Sequence, residues 1–207
     1  MPDFSIENSY NLKTIAGIDE AGRGPLCGPV FAGCVILDQN NYPSKINDSK
    51  KLTEQHREEI FEEMMELEKN NLLFFGIGQA SVEEIEKVNI RNATKLAMQR
   101  AYYDLLNKYN IKVDVVIVDG NFTPILDTKS DFVIKGDQKS LSIAGASIIA
   151  KVSRDRLLYK MDLEFPEYNW KSNKGYGTKE HMEAIKKYGL TPYHRKSFIH
   201  IQDELEF

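Results

Sequence analysis

Cysteine is scarce in this sequence: of 207 residues, only Cys27 and Cys34 carry a thiol, and no CxxC or Cys/His cluster accompanies them. This scarcity argues against a structural zinc site and against a scaffold held by disulfides. Long apolar runs are also missing, since none approaches the roughly 20 residues that span a bilayer. The first seven residues lack the basic-then-apolar pattern of a signal peptide. We therefore expect a cytoplasmic protein with no membrane association.

The sequence has no excess of positive charge, because its formal net charge is −4. Taken alone, this balance argues against a nucleic-acid partner. The average hides an asymmetry: residues 1–70 carry 7 Lys/Arg and 13 Asp/Glu, whereas residues 150–200 carry 11 and 6. A basic C-terminal region can still bind a polyanion. The alternative is a solvated helical face, which is the commoner origin of such a run.

Apolar periodicity predicts strands and helices in a mixed order. The predicted strands are 14–19, 28–37, 72–80, 113–120 and 131–135. The predicted helices are 54–69, a short one after residue 81, 89–108, 140–161 and 178–188, with a loosely held lead-in at 1–12 and a loop at 165–177. This order indicates a layered α/β or α+β architecture. We expect one domain over 1–207, with the sheet and flanking helices in about 14–163 and a C-terminal helical region in about 164–207.

Carboxylates follow three of the predicted strands, and they form the most informative pattern in the chain. Asp19 and Glu20 end the first strand, Asp119 ends a later one, and Asp137 follows the last. If these strand ends are adjacent, four carboxylates converge and repel one another unless cations lie between them. Oxygen ligands favour Mg²⁺ or Mn²⁺, and a cluster of this size suits two such ions acting on a phosphodiester. The alternative is that Asp119 and Asp137 only cap loops.

Several residues near these acids could contact a phosphate or a sugar. The candidates are the turn Gly22-Arg23-Gly24 with its exposed N–H groups, Lys50, Ser140 at a helix start, Tyr176 between two glycines, and Arg195. Each has an ordinary alternative: a turn, a surface lysine, an N-cap, a core tyrosine or a solvated arginine. We expect His181 to lie on a helix surface.

Long motifs in the chain resemble those of one enzyme family. They are GIDEAGRGP at 17–25, DSKKL at 48–52, VDG at 118–120, KGDQKSLSIA at 135–144, ASIIAKVSRD at 146–155, GYGT at 175–178 and TPYHRKSF at 191–198. Together they are similar to the bacterial ribonuclease HII family, the type 2 ribonucleases H. The likeness covers about residues 14–198, almost the whole chain.

The resemblance implies a ribonuclease H-like fold, with a mixed β-sheet flanked by helices and a C-terminal helical region. It implies cleavage of the RNA strand of RNA/DNA hybrids, and 5′ of single ribonucleotides in duplex DNA, leaving 3′-hydroxyl and 5′-phosphate ends. By motif position, two Mn²⁺ or Mg²⁺ ions would be held by Asp19, Glu20, Asp119 and Asp137. The backbone of residues 22–24 would sense the ribose 2′-hydroxyl, and Tyr176 would stack on the deoxyribose just 3′ of the cut.

Other interpretations remain open at this point. The related type 3 enzymes carry Glu at the fourth acidic position and a large N-terminal extension, whereas this chain has Asp137 and 18 residues before Asp19. A junction resolvase or integrase core of the same fold group, or a non-catalytic nucleic-acid-binding module, would be the rivals. Residues 202–207 are too short for the sliding-clamp peptide of some members, so we expect no clamp binding. A monomer is the expected state.

Overall fold

A computed structural model describes residues 1–11 and 14–199 and places a five-stranded mixed sheet at the centre. The strands are β1 (Ile15–Ala21), β2 (Val30–Leu37), β3 (Leu73–Ala80), β4 (Val115–Asp119) and β5 (Lys129–Val133). Their order across the sheet is β3-β2-β1-β4-β5. β1 is antiparallel to β2 and parallel to β4, and β4 is parallel to β5. The carboxyl ends of β1, β4 and β5 therefore meet at one edge of the sheet.

Six helices surround this sheet within the described residues. They are α1 (Ser5–Asn8), α2 (Glu54–Lys69), α3 (Val82–Tyr109), α4 (Leu141–Glu164), α5 (Trp170–Asn173) and α6 (Lys179–Tyr188). Three of the helices begin at a side-chain N-cap: the side chains of Thr53, Ser81 and Thr178 each accept a bond from the backbone N–H three residues on. Asn89 has non-helical backbone angles (φ 66°, ψ 163°) and divides α3 into two helical segments, so the short helix after residue 81 and the separate helix predicted at 89–108 are confirmed.

Alternation along the strands builds a core on each face of the sheet. On one face Val116 and Val118 pack in a cluster with α3, and on the other Val115 and Ile117 pack with the first turn of α4. Helix α4 lies very close to the sheet, because a Cβ on Gly33 would be 2.5 Å from the carbonyl oxygen of Ala146. The small residues of α4 thus pack directly on the strands.

Two segments are more ordered than the sequence suggests. The predicted lead-in contains α1, and its Glu7 is buried, with Oε1 accepting bonds from Ser140 Oγ (2.7 Å) and Ser142 N (3.0 Å). The predicted loop at 165–177 contains α5, whose Trp170 is fully buried with Leu158 and Met161 of α4. Both segments anchor on α4. None of the helices in residues 1–11 and 14–199 has the length and hydropathy of a membrane span.

Candidate metal centre

Three aspartates from three chain segments converge at the edge where β1, β4 and β5 end. Asp19 lies near the end of β1, Asp119 is the last residue of β4, and Asp137 lies in a 3₁₀ turn shortly after β5. One carboxylate oxygen of each lies within 4.8 Å of the other two. We call these three residues the acidic cluster. The strand-end convergence predicted from the sequence is confirmed for these three acids.

Local hydrogen bonds hold the acidic cluster in shape. Asp19 Oδ1 accepts a bond from the backbone N–H of Glu20 at 2.7 Å, and Asp119 Oδ1 accepts one from Gly136 N–H at 2.6 Å. The second bond ties the end of β4 to the turn that carries Asp137. Asp19 and Asp137 are 4% and 2% exposed, so both carboxylates have lost nearly all contact with solvent.

The electrostatics of the acidic cluster are unfavourable without a cation. Burial raises the pKa of Asp19 well above its ordinary value, and the nearby charges of Glu20 and Asp119 raise it further. Burial also raises the pKa of Asp119, with a second contribution from Asp137. Like charges held together in a low-dielectric site disfavour ionisation, and a bound cation relieves this. An all-oxygen donor set of this kind fits a hard divalent ion such as Mg²⁺ or Mn²⁺.

Glu20 lines the same cavity as Asp19 and Asp119 but stands outside the three-carboxylate group. Its Oε1 accepts a bond from the guanidinium of Arg23 at 3.3 Å. Burial raises the pKa of Glu20, although the charge of Arg23 opposes the shift. The structure therefore places Glu20 beside the cluster, already paired with a cation from the adjoining turn.

Lys50 supplies positive charge to the acidic cluster. Asp48 caps the 3₁₀ turn Ser49–Lys51, and Lys50 Nζ lies 2.9 Å from Asp137 Oδ2. Burial disfavours the charged amine, yet the bond to Asp137 and the surrounding carboxylates raise the pKa of Lys50 above its ordinary value. Arg57 holds this turn in place by donating to the carbonyls of Ser49 (2.8 Å) and Leu52 (2.6 Å).

A cavity of about 240 Å³ joins the acids to the predicted sugar contacts. Its walls include Asp19, Glu20 and Asp119, the turn Gly22–Gly24, Lys50 and Tyr176. Tyr176 is 51% exposed, and its ring lies against the turn, since a Cβ on Gly24 would be 3.5 Å from it. Most of the predicted site residues thus surround one opening.

Two predicted phosphate contacts are wrong in this structure. Ser140 is fully buried, and its Oγ donates to Glu7 and accepts the N–H of Ile143, so it is an N-cap and not an open anion site. Arg195 is also fully buried, and its guanidinium donates only to backbone carbonyls of the segment 22–28. Neither side chain is accessible to a phosphate.

The prediction that His181 lies on a helix surface is also wrong. His181 is fully buried, and its Nε2 lies 3.2 Å from Nε2 of His194. Trp170 Nε1 donates to His181 Nε2 at 3.0 Å, and His181 Nδ1 lies 2.9 Å from the carbonyl oxygen of Tyr176. Since that carbonyl can only accept, Nδ1 carries the proton of His181. The pair holds the loop that presents Tyr176.

Three basic residues that the sequence does not predict as site residues also lie in the cavity wall. Arg57, Lys151 and Arg154 all line it. Lys151 pairs with Asp155 at 2.8 Å, a contact between residues four apart on α4. That spacing is readable in the sequence, but nothing in the sequence places α4 beside the acids.

Comparison with known proteins decides the family. The profile described as Ribonuclease HII matches residues 16–201. Ribonuclease HII of Wolbachia pipientis wMel is 50% identical over 205 residues, covering 99% of this chain and 98% of that protein. The chain belongs to the ribonuclease HII family. It is therefore a hydrolytic nuclease of the ribonuclease H class, which acts on nucleic acid and depends on divalent metal ions.

Solved structures agree with the ribonuclease HII assignment. Ribonuclease H2 from Pyrococcus horikoshii OT3 superposes with a TM-score of 0.68 and 27% identity, covering 89% of this chain and 93% of that one. Bst-RNase HIII in complex with Mn²⁺ gives a TM-score of 0.70 at 16% identity, covering 89% and 67%. The second likeness supports the fold alone. The predicted ribonuclease H-like fold, with a mixed sheet flanked by helices, is confirmed.

Proposed function

We propose that this protein cuts the RNA strand of RNA/DNA hybrids, and cuts 5′ of single ribonucleotides embedded in duplex DNA, leaving 3′-hydroxyl and 5′-phosphate ends. The observation that carries the proposal is the shared cavity. It is lined by two members of the acidic cluster, Asp19 and Asp119, by a glycine turn that can approach a sugar closely, and by an exposed tyrosine ring. A phosphodiester group and its neighbouring sugars need all three.

The acids would hold the metal ions of the reaction. Asp19, Asp119 and Asp137 are the ligands that the geometry favours, and Glu20 would join them by giving up its bond to Arg23. Two ions, Mg²⁺ or Mn²⁺, would supply water activation and stabilisation of the leaving 3′ oxygen. Lys50, now paired with Asp137, would be free to bind the scissile phosphate once cations neutralise that carboxylate.

The other residues would select the substrate. A 2′-hydroxyl is what separates RNA from DNA at a given sugar, and backbone N–H groups of Gly22–Gly24 could donate to it. Gly22 has φ +96°, a backbone conformation that glycine adopts readily and other residues rarely adopt, so this turn requires glycine at position 22. The half-exposed ring of Tyr176 would stack on the deoxyribose 3′ of the cut.

The direct test uses a DNA duplex with one embedded ribonucleotide, assayed with Mg²⁺ and with Mn²⁺. We expect a single cut 5′ of the ribonucleotide and no cut in the all-DNA duplex of the same sequence. Labelling of the ends should identify a 3′-hydroxyl and a 5′-phosphate. Cleavage of a four-way DNA junction, with none of the ribonucleotide duplex, would instead favour a resolvase.

A further inference from the structure

Two buried arginines lie behind the turn Gly22–Gly24. Arg195 is 0% exposed and Arg154 is 1% exposed, and none of the ion pairs among the described residues includes either guanidinium. Burying a charge without a carboxylate partner is costly unless other acceptors surround it. Here those acceptors are backbone carbonyls, so each arginine fixes the direction of several peptide groups.

The guanidinium of Arg195 donates five hydrogen bonds to four backbone carbonyls, which therefore point toward it. Its Nη2 donates to Gly22 O (2.7 Å) and Gly28 O (2.7 Å), and its Nη1 donates to Arg23 O (3.1 Å) and Pro25 O (2.9 Å). Nε donates a further bond to Gly28 O at 2.9 Å. A guanidinium has five N–H donors, so this geometry can engage all of them.

The inward carbonyls determine where the N–H groups point. Every peptide bond among the described residues is trans, so each C=O and the following N–H point in opposite directions. With the carbonyls of Gly22 and Arg23 directed at Arg195, the N–H groups of Arg23 and Gly24 point away from it. The backbone bonds of the described residues include neither of these two donors. Both belong to residues in the wall of the site cavity.

We propose that Arg195 is a positioning residue that holds the N–H groups of Arg23 and Gly24 toward the substrate sugar, and so sets the selectivity for a ribonucleotide. It acts through the turn and touches no substrate. The inference rests on the proposed function and adds to it the residue that orients the sugar-sensing backbone. The positive charge of Arg195 also lies on the carbonyl side of these peptide groups, where it strengthens their N–H groups as donors.

Arg100 provides a control outside the site cavity. Its guanidinium donates to the carbonyl oxygen of Gln79 (2.7 Å) and to the carboxylate of Glu84 (2.7 Å). Arg100→Lys and Arg195→Lys each remove one planar guanidinium and keep the charge and the aliphatic stem. Only Arg195→Lys removes the bonds that orient the turn.

The experiment measures KM for the duplex with one ribonucleotide and the inhibition constant of the all-DNA duplex as competitor, both with Mn²⁺. The ratio of the inhibition constant to KM is the selectivity. We expect Arg195→Lys to lower this ratio about tenfold or more, as loss of bonds from a charged donor implies. Arg100→Lys should keep the ratio within about twofold.

An unchanged ratio in Arg195→Lys would overturn the inference, as would an equal loss in Arg100→Lys. Failure of the unmodified protein to cut the ribonucleotide duplex would instead overturn the proposed function. If Arg195→Lys does not fold, backbone ¹⁵N relaxation of the unmodified protein gives the answer. Order parameters near about 0.85 at Arg23 and Gly24 support a turn held rigid by Arg195, and values under about 0.6 contradict it.

Discussion

Glu7 and Asp19 are two buried carboxylates with opposite surroundings. Glu7 is 6% exposed and Asp19 is 4% exposed, so burial does not distinguish them. One oxygen of Glu7 accepts bonds from Ser140 Oγ and Ser142 N at the start of α4, where the helix dipole favours a negative charge. Asp19 accepts one backbone bond, from Glu20 N–H, and has Asp119 as its close neighbour.

The difference shows which buried charge belongs to function. The two hydrogen bonds to Oε1 of Glu7 fasten the N-terminal segment to α4. The surroundings of Asp19 oppose its charge, at a cost that a bound cation would relieve. Buried acids are therefore informative through their partners.

The largest expected effect is that of Asp19→Asn. Loss of a metal ligand should lower kcat/KM on the ribonucleotide duplex by about 100-fold or more. Without divalent ions the same variant should melt at a higher temperature than the unmodified protein, because a repelled charge is removed while Oδ1 can still accept the Glu20 N–H. Steady-state kinetics and thermal unfolding in a chelator measure the two effects.

Asp131→Asn is the matched control. Asp131 lies on β5 of the same sheet and pairs with Lys129 at 3.1 Å, outside the acidic cluster. Its removal should change neither cleavage nor stability by much, since partly exposed ion pairs contribute little. A lower melting temperature for Asp19→Asn in the chelator would contradict the contrast drawn here.

Glu7→Ala should have the opposite effect on stability. It leaves Ser140 and the start of α4 without their acceptor, and the free energy of unfolding should fall by about 2 kcal/mol. Glu7→Gln keeps an oxygen in place and should lose less. Chemical denaturation of both variants tests this ranking, and a Glu7→Ala protein as stable as the original would show that Glu7 is no anchor.

A buried base extends the comparison. Burial, followed by the charge of His181, lowers the pKa of His194 to about 4. As the pH falls from 7 to 5, the unfolded state takes up the proton first, so this residue costs about 2 kcal/mol of folding stability over that interval. His194→Gln should lose correspondingly less stability between the same two pH values. Unfolding curves at pH 7 and pH 5 give the difference, and parallel losses would contradict it.

Tyr176→Ala should show the smallest change in stability. The ring is half exposed, so the free energy of unfolding should change by less than about 1 kcal/mol. Cleavage at a single ribonucleotide should fall about tenfold if the ring stacks on a sugar. An unchanged cleavage rate in Tyr176→Ala, together with a large drop in melting temperature, would show that Tyr176 has a purely structural role.

The sequence predicts best the features that depend on residues close together along the chain. Alternation predicts the strands, and the N-caps at Thr53, Ser81 and Thr178 depend on a residue only three positions away. The acidic cluster is predictable because its members follow strands, and strand ends meet at an edge. The motifs also indicate the protein family, and comparison with known proteins confirms it.

The errors come from partners that are distant in sequence. Arg195 is 167 to 173 residues from the carbonyls it binds, and Glu7 is 133 to 135 residues from its donors. No local pattern reports such contacts, so the sequence predicts phosphate contacts for Arg195 and Ser140 and a loose lead-in that contains Glu7. His181 is a different case: its partner His194 is only 13 residues away, but it lies outside α6, so the pattern of that helix does not show the contact.

Some expectations stay predictions. The division of the chain at about residue 164, the monomeric state and the cytoplasmic location have no test in the structure. The tail considered for clamp binding, residues 202–207, lies outside the described residues.

The central claim is that the acidic cluster is completed by divalent cations. Calorimetric titration with Mn²⁺ of the unmodified protein and of Asp119→Asn tests it most directly, since Asn can keep the bond to Gly136 while removing the charge. We predict saturable binding of two ions to the unmodified protein and an affinity at least about tenfold weaker in Asp119→Asn. Equal affinity in the two proteins would contradict the account.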